Sequence, residues 1–358
     1  MLSRIEFKNF RILRDAAIDL ERFTLMIGPN ASGKSTVFRA IEAAQGHVNQ
    51  KRDGSGVFAP FKPAHECFDR LLSRHVKLSE DSIVQVKFIG NMGSGELFNL
   101  FGWSRSRVTE NSTYLQAEVD RLNRMIGAAR FYSLEPSLIE RPSAWTTDAV
   151  LGPAGERLSL VLTKMQDTEP ERFEALNREF SNWLPEFDRI ILDSAKLVGV
   201  GDVVQSVGTV AREFLLRFRQ TKATIRASDV SGGTLVALAL LTLAHLPEPP
   251  GIICLEEPDR GLHPRALTLV RDAIFRLAYP ERSGESRKPV QVLATTHSPY
   301  FLDLFRDYTD HIVVAEKTPD GATFSSLSKR ADIDEILAHG PLGEVWYSGV
   351  LGGVPVDT

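Results

Sequence analysis

The clearest chemistry lies near the amino terminus, where Gly28-Pro29-Asn30-Ala31-Ser32-Gly33-Lys34-Ser35 fits G-x-x-x-x-G-K-[ST] in full. Glycines at this spacing let backbone N–H groups turn inward around an anion, and a helix starting directly behind them adds partial positive charge. In such a pattern Lys34 is the cation that reaches the β- and γ-phosphates of a nucleotide, and Ser35 offers its hydroxyl to Mg²⁺. Thr36 follows in the same first helical turn and joins the nucleotide-binding set. The plainer reading is a glycine-rich turn with a chance Lys-Ser pair. Context opposes it: the apolar run Phe23–Ile27 precedes the loop, and Val37, Ile41 and Ala44 follow at helical spacing.

Two further runs end in reactive groups. Gly251-Ile252-Ile253-Cys254-Leu255-Glu256-Glu257-Pro258 is an apolar strand delivering two carboxylates to its carboxyl end, the edge at which parallel sheets bind ligands. Neighbouring strand residues point to opposite faces, so the two acids have different tasks. Glu256 is assigned to the Mg²⁺ shell through water, and Glu257 to orienting or deprotonating an attacking water. A solvated strand end is the bland alternative, against which the preceding apolar residues argue for burial. The apolar run 290–294 ends in Thr295-Thr296-His297-Ser298-Pro299. A lone histidine is commonly a satisfied polar group; at the end of a strand, in company with the two motifs above, His297 reads as a γ-phosphate sensor. Finally Val230-Ser231-Gly232-Gly233-Thr234 opens an apolar helix over 235–246, with Ser231 suited to cap it and the glycines leaving amides bare for an anion. Alone, that tripeptide is as well explained by a structural N-cap.

These residues need a scaffold, and the pattern supplies one. Short apolar alternation over 4–13 and 17–27 reads as a hairpin feeding the glycine loop, with a helix over 35–45, an irregular stretch at 47–66 and a strand over 82–89. Helices are expected over 112–128, 156–166 and 170–183, too short for a coiled-coil arm and better read as a compact insertion. Strand alternation returns at 187–192 and 214–218, and from 231 to about 316 the order helix, strand, helix, strand is that of a parallel α/β layer. The expected division is therefore 1–90, the amino-terminal half of the catalytic domain; 91–212, a helical and mixed insertion or lid; 213–316, its second half; and 317–358, a carboxyl-terminal extension.

Composition narrows the class. With 358 residues, 43% hydrophobic and 25% charged, the chain is a globular protein of one large or two intimate domains. Forty-two Lys+Arg against 46 Asp+Glu gives a net charge of −4, which excludes a polycation and leaves nucleic acid to a local patch. Arg217, Arg219, Lys222 and Arg226 form one local surplus and Arg121, Arg124 and Arg130 another, both equally readable as solvated faces. Cys67 and Cys254, the 2 cysteines, show neither disulfide nor zinc spacing and fit a reducing, cytoplasmic setting. MLSRIEFKNF carries charge where a signal peptide needs an apolar core. The apolar run 235–246 falls short of the roughly 18–20 residues that cross a bilayer, so no membrane is expected.

Taken in order, the phosphate loop, SGG with its apolar helix, the strand ending in EEP and the strand ending in TTHS resemble the ATP-binding cassette (ABC) ATPases. The resemblance is closest to the branch of RecF, SMC and Rad50 heads and OLD nucleases, in particular to stand-alone bacterial AAA-family predicted ATPases without a Toprim domain. It covers roughly 1–90 and 213–316. It implies a P-loop NTPase fold of ABC-ATPase type, α/β, with a mixed sheet and helices, an antiparallel β subdomain and a helical insertion. It further implies ATP and Mg²⁺ as cofactors, ATP hydrolysis, and a homodimer closed around an ATP sandwich, in which Ser231, Gly232 and Gly233 grip the γ-phosphate held by the second subunit's phosphate loop. Asp259-Arg260-Gly261-Leu262-His263-Pro264 resembles the loop that crosses such an interface. Asn9-Phe10-Arg11 resembles the segment beside the nucleotide's base and phosphates, placing Asn9 and Arg11 with Gly28, Pro29, Asn30, Ala31, Ser32, Gly33, Lys34, Ser35 and Thr36.

The chain departs from the pattern in having Glu256 where the wider superfamily has aspartate, and in offering no clear glutamine loop, Gln85 being the nearest candidate. No room is expected for a Toprim domain after residue 316, so a nuclease would be a separate effector chain. Residues 342–353 resemble the tail of the stand-alone ATPases and have no assigned mechanism. The function expected is an ATPase whose conformational cycle is coupled to a partner effector or DNA, in genome maintenance or anti-phage defence. The alternative is a non-hydrolysing nucleotide-sensing scaffold that assembles a separate effector such as a nuclease; retention of Glu257 and His297 favours the first. A small-molecule kinase on the same loop leaves SGG and TTHS unexplained.

Overall fold

The computed structural model describes residues 1–52, 83–92, 95–103, 108–112, 116–147, 149–196 and 210–352. The chain divides into two compact units, one comprising Met1–Phe131, Pro250–Leu255 and Leu277–Thr358, the other Tyr132–Pro249 and Glu256–Arg276.

In chain order, β1 (Leu2–Phe10) and β2 (Leu13–Asp19) form a hairpin, β3 (Phe23–Ile27) enters the glycine loop, and α1 (Lys34–Arg52) leaves it. Then come β4 (Val84–Met92), β5 (Gly95–Trp103), β6 (Val108–Ser112), α2 (Gln116–Gly127), β7 (Arg130–Tyr132), α3 (Pro136–Ile139) and β8 (Ser143–Ala144). The helices α4 (Leu158–Thr168) and α5 (Pro170–Trp183) precede β9 (Phe187–Lys196), β10 (Val210–Phe218), β11 (Thr224–Arg226) and α6 (Gly232–Ala244). The remainder is β12 (Ile252–Glu256), α7 (Pro264–Ala278), β13 (Gln291–Thr295), α8 (Pro299–Asp303), β14 (Ile312–Thr318), β15 (Gly321–Ser326), α9 (Ile333–His339) and α10 (Leu342–Tyr347).

The first unit is built on a six-stranded sheet of order β15-β14-β3-β13-β12-β7. β13 and β14 flank β3 in parallel, with Val292 opposite Phe23 and Ile312 opposite Leu25. Every residue of β3 and β13 is buried, as a strand covered on both faces requires. A second, antiparallel sheet has the order β2-β1-β4-β5-β6. Helix α1 shares one core with both: Val37, Ala40, Ile41, Ala44 and Val48 are buried at helical spacing among Ile5, Phe7, Phe88 and Phe101 of one sheet and Met26, Cys254 and Leu293 of the other.

That core corrects two expectations. Helix α1 runs on to Arg52, into the stretch read as irregular, because Val48 extends its buried face; residues 53–66 of that stretch, with Cys67, lie outside the described residues. The expected boundary at residue 90 falls inside β4, and β5, β6 and α2 continue the same unit, with Phe101, Trp103, Val119, Leu122 and Ile126 in its core. Gln45 fixes α2 from below, its Nε2 donating to the carbonyls of Gly127 (3.1 Å) and Ala129 (2.7 Å).

In the second unit β10 pairs antiparallel with β8, β9 and β11. Asn177 of α5 ties helix to sheet by accepting the Ile190 N–H at 2.8 Å. Helix α6 is buried at every position from Thr234 to Ala244, which is why its sequence is apolar all round rather than amphipathic. Each of its leucines contributes about 1.5–3 kcal/mol by leaving water. At its end His245 meets Glu179 (2.8 Å), which also accepts from Arg276 (2.5 Å). Burial pushes the Glu179 carboxyl up, but the hydrogen bond from His245 and the charge of Arg276 outweigh it and hold the group below its usual range.

Candidate nucleotide site

The phosphate loop is shaped by three left-handed residues: Gly28 (φ 143°), Ala31 (φ 60°) and Gly33 (φ 97°). Ala31 accepts this at a cost of about 1 kcal/mol for carrying a Cβ. At Gly28 a Cβ would stand 2.2 Å from the Ala315 carbonyl oxygen, which leaves no space for a side chain; at Gly33 it would stand 2.9 Å from the mobile end of Leu13, Cδ2, and the left-handed backbone is what favours glycine there. Lys34 is only 5% exposed. Its ammonium donates to the carbonyls of Gly28 (2.7 Å) and Pro29 (2.8 Å) and lies 3.5 Å from Ser32 Oγ. A buried ammonium needs such partners, and phosphate oxygens would provide charge-assisted ones roughly twice as strong. Ser32 is buried, Asn30 and Ser35 are exposed, and the Thr36 N–H donates to the Gly33 carbonyl (3.0 Å) as α1 begins.

The β1–β2 turn lies against this loop. A side chain at Gly33 would also meet Ile12 Cγ2 at 3.4 Å, and both Asn9 (φ 58°) and Arg11 (φ 52°) are left-handed. Asn9 Nδ2 donates to the Ile83 carbonyl (3.1 Å), and Arg11 is exposed. Gln85 is a strand residue, paired with Lys8 and Gly102, so the glutamine candidate stands in β4 next to the Asn9 turn rather than in a loop.

On the far side of β3, the Thr296 N–H donates to the Met26 carbonyl (3.2 Å) and its Oγ1 accepts the Ser298 N–H (2.9 Å). Ser298 Oγ accepts the Phe301 N–H (3.2 Å) and caps α8. His297 sits exposed between these two fixed neighbours. Cys254, mid-strand in β12, is fully buried; desolvation, with Glu42 adding to it, pushes its thiol well above the usual range and removes it as a nucleophile.

The second unit holds the remaining candidates. Glu256 is the last, half-buried residue of β12, but Glu257 has left the strand with φ 46°. Strand alternation therefore does not separate the two carboxylates; a left-handed kink does, and it is strained for a residue with a side chain. The Glu257 carbonyl closes the turn by accepting the Arg260 N–H (3.0 Å), while Arg260 itself lies 3.6 Å from Glu135. Ser231 caps α6, its Oγ accepting the Thr234 N–H (3.3 Å) and lying 2.9 Å from Thr234 Oγ1. A Cβ at Gly233 would fall 2.7 Å from the Gly261 carbonyl oxygen, and one at Gly232 3.0 Å from Pro136 Cγ. Packing against the Gly261 carbonyl thus already requires a glycine at 233, while at 232 the neighbouring Pro136 leaves a tight fit.

The basic surplus is spent locally. Arg217 (2.8 Å) and Lys222 (2.5 Å) both grip Asp188, whose carboxyl these bonds, that from Arg217 foremost, lower to about 2. Arg219 donates to the carbonyls of Pro185, Ser181 and Phe187. Arg226 and, on α2, Arg121 and Arg124 are exposed.

The phosphate loop's own residues fit a magnesium nucleotide: a cradle shaped by left-handed glycines, a buried ammonium at Lys34 and an exposed hydroxyl at Ser35. No three of His, Cys, Asp and Glu converge as a metal site among the described residues. No helix among them is long and apolar enough to cross a membrane. A glycine loop between a buried parallel strand and a helix, in a mixed sheet of order β15-β14-β3-β13-β12-β7, defines a P-loop NTPase domain of the ABC-ATPase type.

The AAA-domain family described as "putative AbiEii toxin, Type IV TA system" matches residues 110–303, and the AAA ATPase domain family matches residues 1–81. The chain belongs to this AAA-domain family. An OLD nuclease of Thermus scotoductus is 22% identical across 88% of this chain and 64% of its own length, so the chain spans less than two thirds of that relative. The Smc head domain of Pyrococcus furiosus, solved with an extended coiled coil and bound to the C-terminal domain of ScpA, superposes with a TM-score of 0.54 at 15% identity, covering 94% of this chain and 99% of that one. The recombination mediator RecF gives a TM-score of 0.46 at 14% identity, covering 91% and 98%.

Proposed function

We propose that the chain binds ATP with Mg²⁺ on residues 28–36, hydrolyses it, and closes as a cytoplasmic homodimer around two nucleotides, so that turnover drives a conformational cycle felt by a partner. What carries the reading is Lys34, an ammonium buried inside a loop that has no space for a side chain at Gly28 and a left-handed backbone at Gly33. Magnesium ATP, when bound, supplies an activated γ-phosphoryl group; the rest is work for this chain's own residues.

Lys34 holds phosphate oxygens, Ser35 and Glu256 hold the metal, the latter through water, and Asn9 and Arg11 line the base and phosphate side of the pocket. Glu257 takes the proton of the attacking water on its carboxylate, and its kinked backbone fixes where that carboxylate can point. His297 reads the γ-phosphate from its tethered position after β13. Ser231, Gly232 and Gly233 complete the site of the second copy. The likeness to an OLD nuclease supports a nuclease-type effector or DNA as the partner, in genome maintenance or anti-phage defence.

The test is Ser231→Arg, followed by ATP-dependent light scattering. The variant should bind ATP as wild type does and fail to dimerise with it. If it closes as readily as wild type, Ser231 is a helix cap alone and the sandwich dimer is withdrawn.

A further inference from the structure

The segment after α9 has no role in the cycle described above, yet it is fastened to both flanks of the phosphate-loop half of the site. At one end, Gly343 in α10 lies so close to α8 that a Cβ there would stand 2.6 Å from the Pro299 carbonyl oxygen and 2.7 Å from Pro299 Cβ. Pro299 is two residues beyond His297. The Gly343 N–H donates to Asp303 Oδ1 at 2.7 Å, and Arg306, just past α8, donates to the carbonyls of Gly340 (2.8 Å) and Leu337. At the other end, Gly352 packs on the side chain of Glu316, the neighbour of Ala315, whose carbonyl abuts Gly28. Inward, Phe305 packs tilted on Phe23 of β3 and meets Phe301 edge to face, with ring centroids 5.1 Å apart in each pair. Helix α8 is thus clamped between the strand that carries the phosphate loop and the carboxyl-terminal segment.

We infer that α10 is a positioning element for His297: it fixes α8, and through the Ser298 cap and Pro299 it sets where the histidine stands relative to the phosphate loop. The inference deepens the proposed ATPase and rests on His297 acting in turnover. Gly343 and Asp303 are positioning residues, acting on His297 through α8. A side chain at 343 meets backbone atoms that cannot rotate away, so α8 must shift, and a displacement near 1 Å can cost up to about a hundredfold in rate.

The experiment measures ATP turnover and ATP affinity for the full chain carrying Gly343→Ala, His297→Ala, and both. Gly343→Ala should lower kcat about tenfold with Kd for ATP within about twofold, and should add nothing once His297 is gone, as residues acting as one unit do. Asp303→Ala and Asp303→Asn form a second pair in case Gly343→Ala fails to fold. Asparagine keeps the acceptor for the Gly343 N–H and should retain wild-type kcat, whereas alanine should lose about fivefold. The inference is overturned if His297→Ala is crippled while Gly343→Ala and Asp303→Ala turn over normally, or if the Gly343 and His297 losses multiply. If His297→Ala itself turns over as wild type does, the role proposed for His297 fails and takes this inference with it.

Discussion

The phosphate loop in one unit and the glycine signature in the other both use glycine, but for different physical reasons. Gly28 and Gly33 have left-handed backbones, and at Gly28 a main-chain oxygen also takes the space of a Cβ, so the loop's shape is set by its own conformation. Gly232 and Gly233 sit in ordinary helical backbone, and what excludes a side chain is a neighbour, the Gly261 carbonyl in the case of Gly233. The loop is therefore preformed for an anion by its own conformation. The signature is instead mated to the segment that follows the acidic pair, so that any movement of residues 259–263 is felt at the start of α6. In the proposed cycle one region holds and the other responds.

The largest test of that contrast is Lys34→Ala. It should abolish measurable ATP binding by calorimetry, because the loop loses the charge-assisted contacts of its buried cation. Unchanged affinity would remove the holding role. Next, Glu257→Gln should bind ATP, hydrolyse it at least roughly a hundredfold more slowly, and accumulate the closed dimer, the contribution expected of a positioned base. If Glu256→Gln shows that trapping instead, the two roles are exchanged. On the responding side, Gly233→Ala should leave ATP affinity intact while lowering stability by about 1–3 kcal/mol, read as a fall in the denaturation midpoint, since its Cβ meets main-chain oxygen.

The smallest effect concerns Asp188 and is one of pH. Its carboxyl is held at about 2, below the unfolded value near 3.9, so its contribution is present above pH about 4 and is lost as pH falls through about 2. Asp188→Asn should lower the melting temperature modestly at pH 7, with the difference from wild type closing across that acid window. A constant difference down to pH 2 would mean that the site is held by shape, not charge.

What could be read from the residues alone follows the same division. β3 and α5 were legible to their ends: β3 because the run Phe23-Thr24-Leu25-Met26-Ile27 stops at Gly28, α5 because Pro170 opens the helix and Leu184-Pro185 follows its close. The placement of β5 was hidden because Asn99 occupies a fully buried position, where its amide donates to Asn123 of α2 at 2.7 Å, and a buried polar pair breaks the alternation a strand is known by. The end of α1 was hidden because Gly46, His47 and Asn49 look like loop residues. Asn49 is in fact used, donating to the Gly127 carbonyl at 3.2 Å. At the site, residue types announced the chemistry but not the backbone: nothing in the letters Glu-Glu-Pro says that Glu257 turns left-handed, and Ala315 reaches Gly28 through a carbonyl that every residue possesses.

Helix α6 has a consequence outside the catalytic cycle. Its run from Leu235 to Leu241 contains no charged or polar residue, and it stays soluble only because every face is covered. Heat or denaturant that opens the second unit releases this run as an adhesive segment, and intermolecular association can then outpace refolding. The durability of the protein on storage is on that account governed by how seldom α6 is uncovered, a rate, more than by the equilibrium balance between folded and unfolded chains.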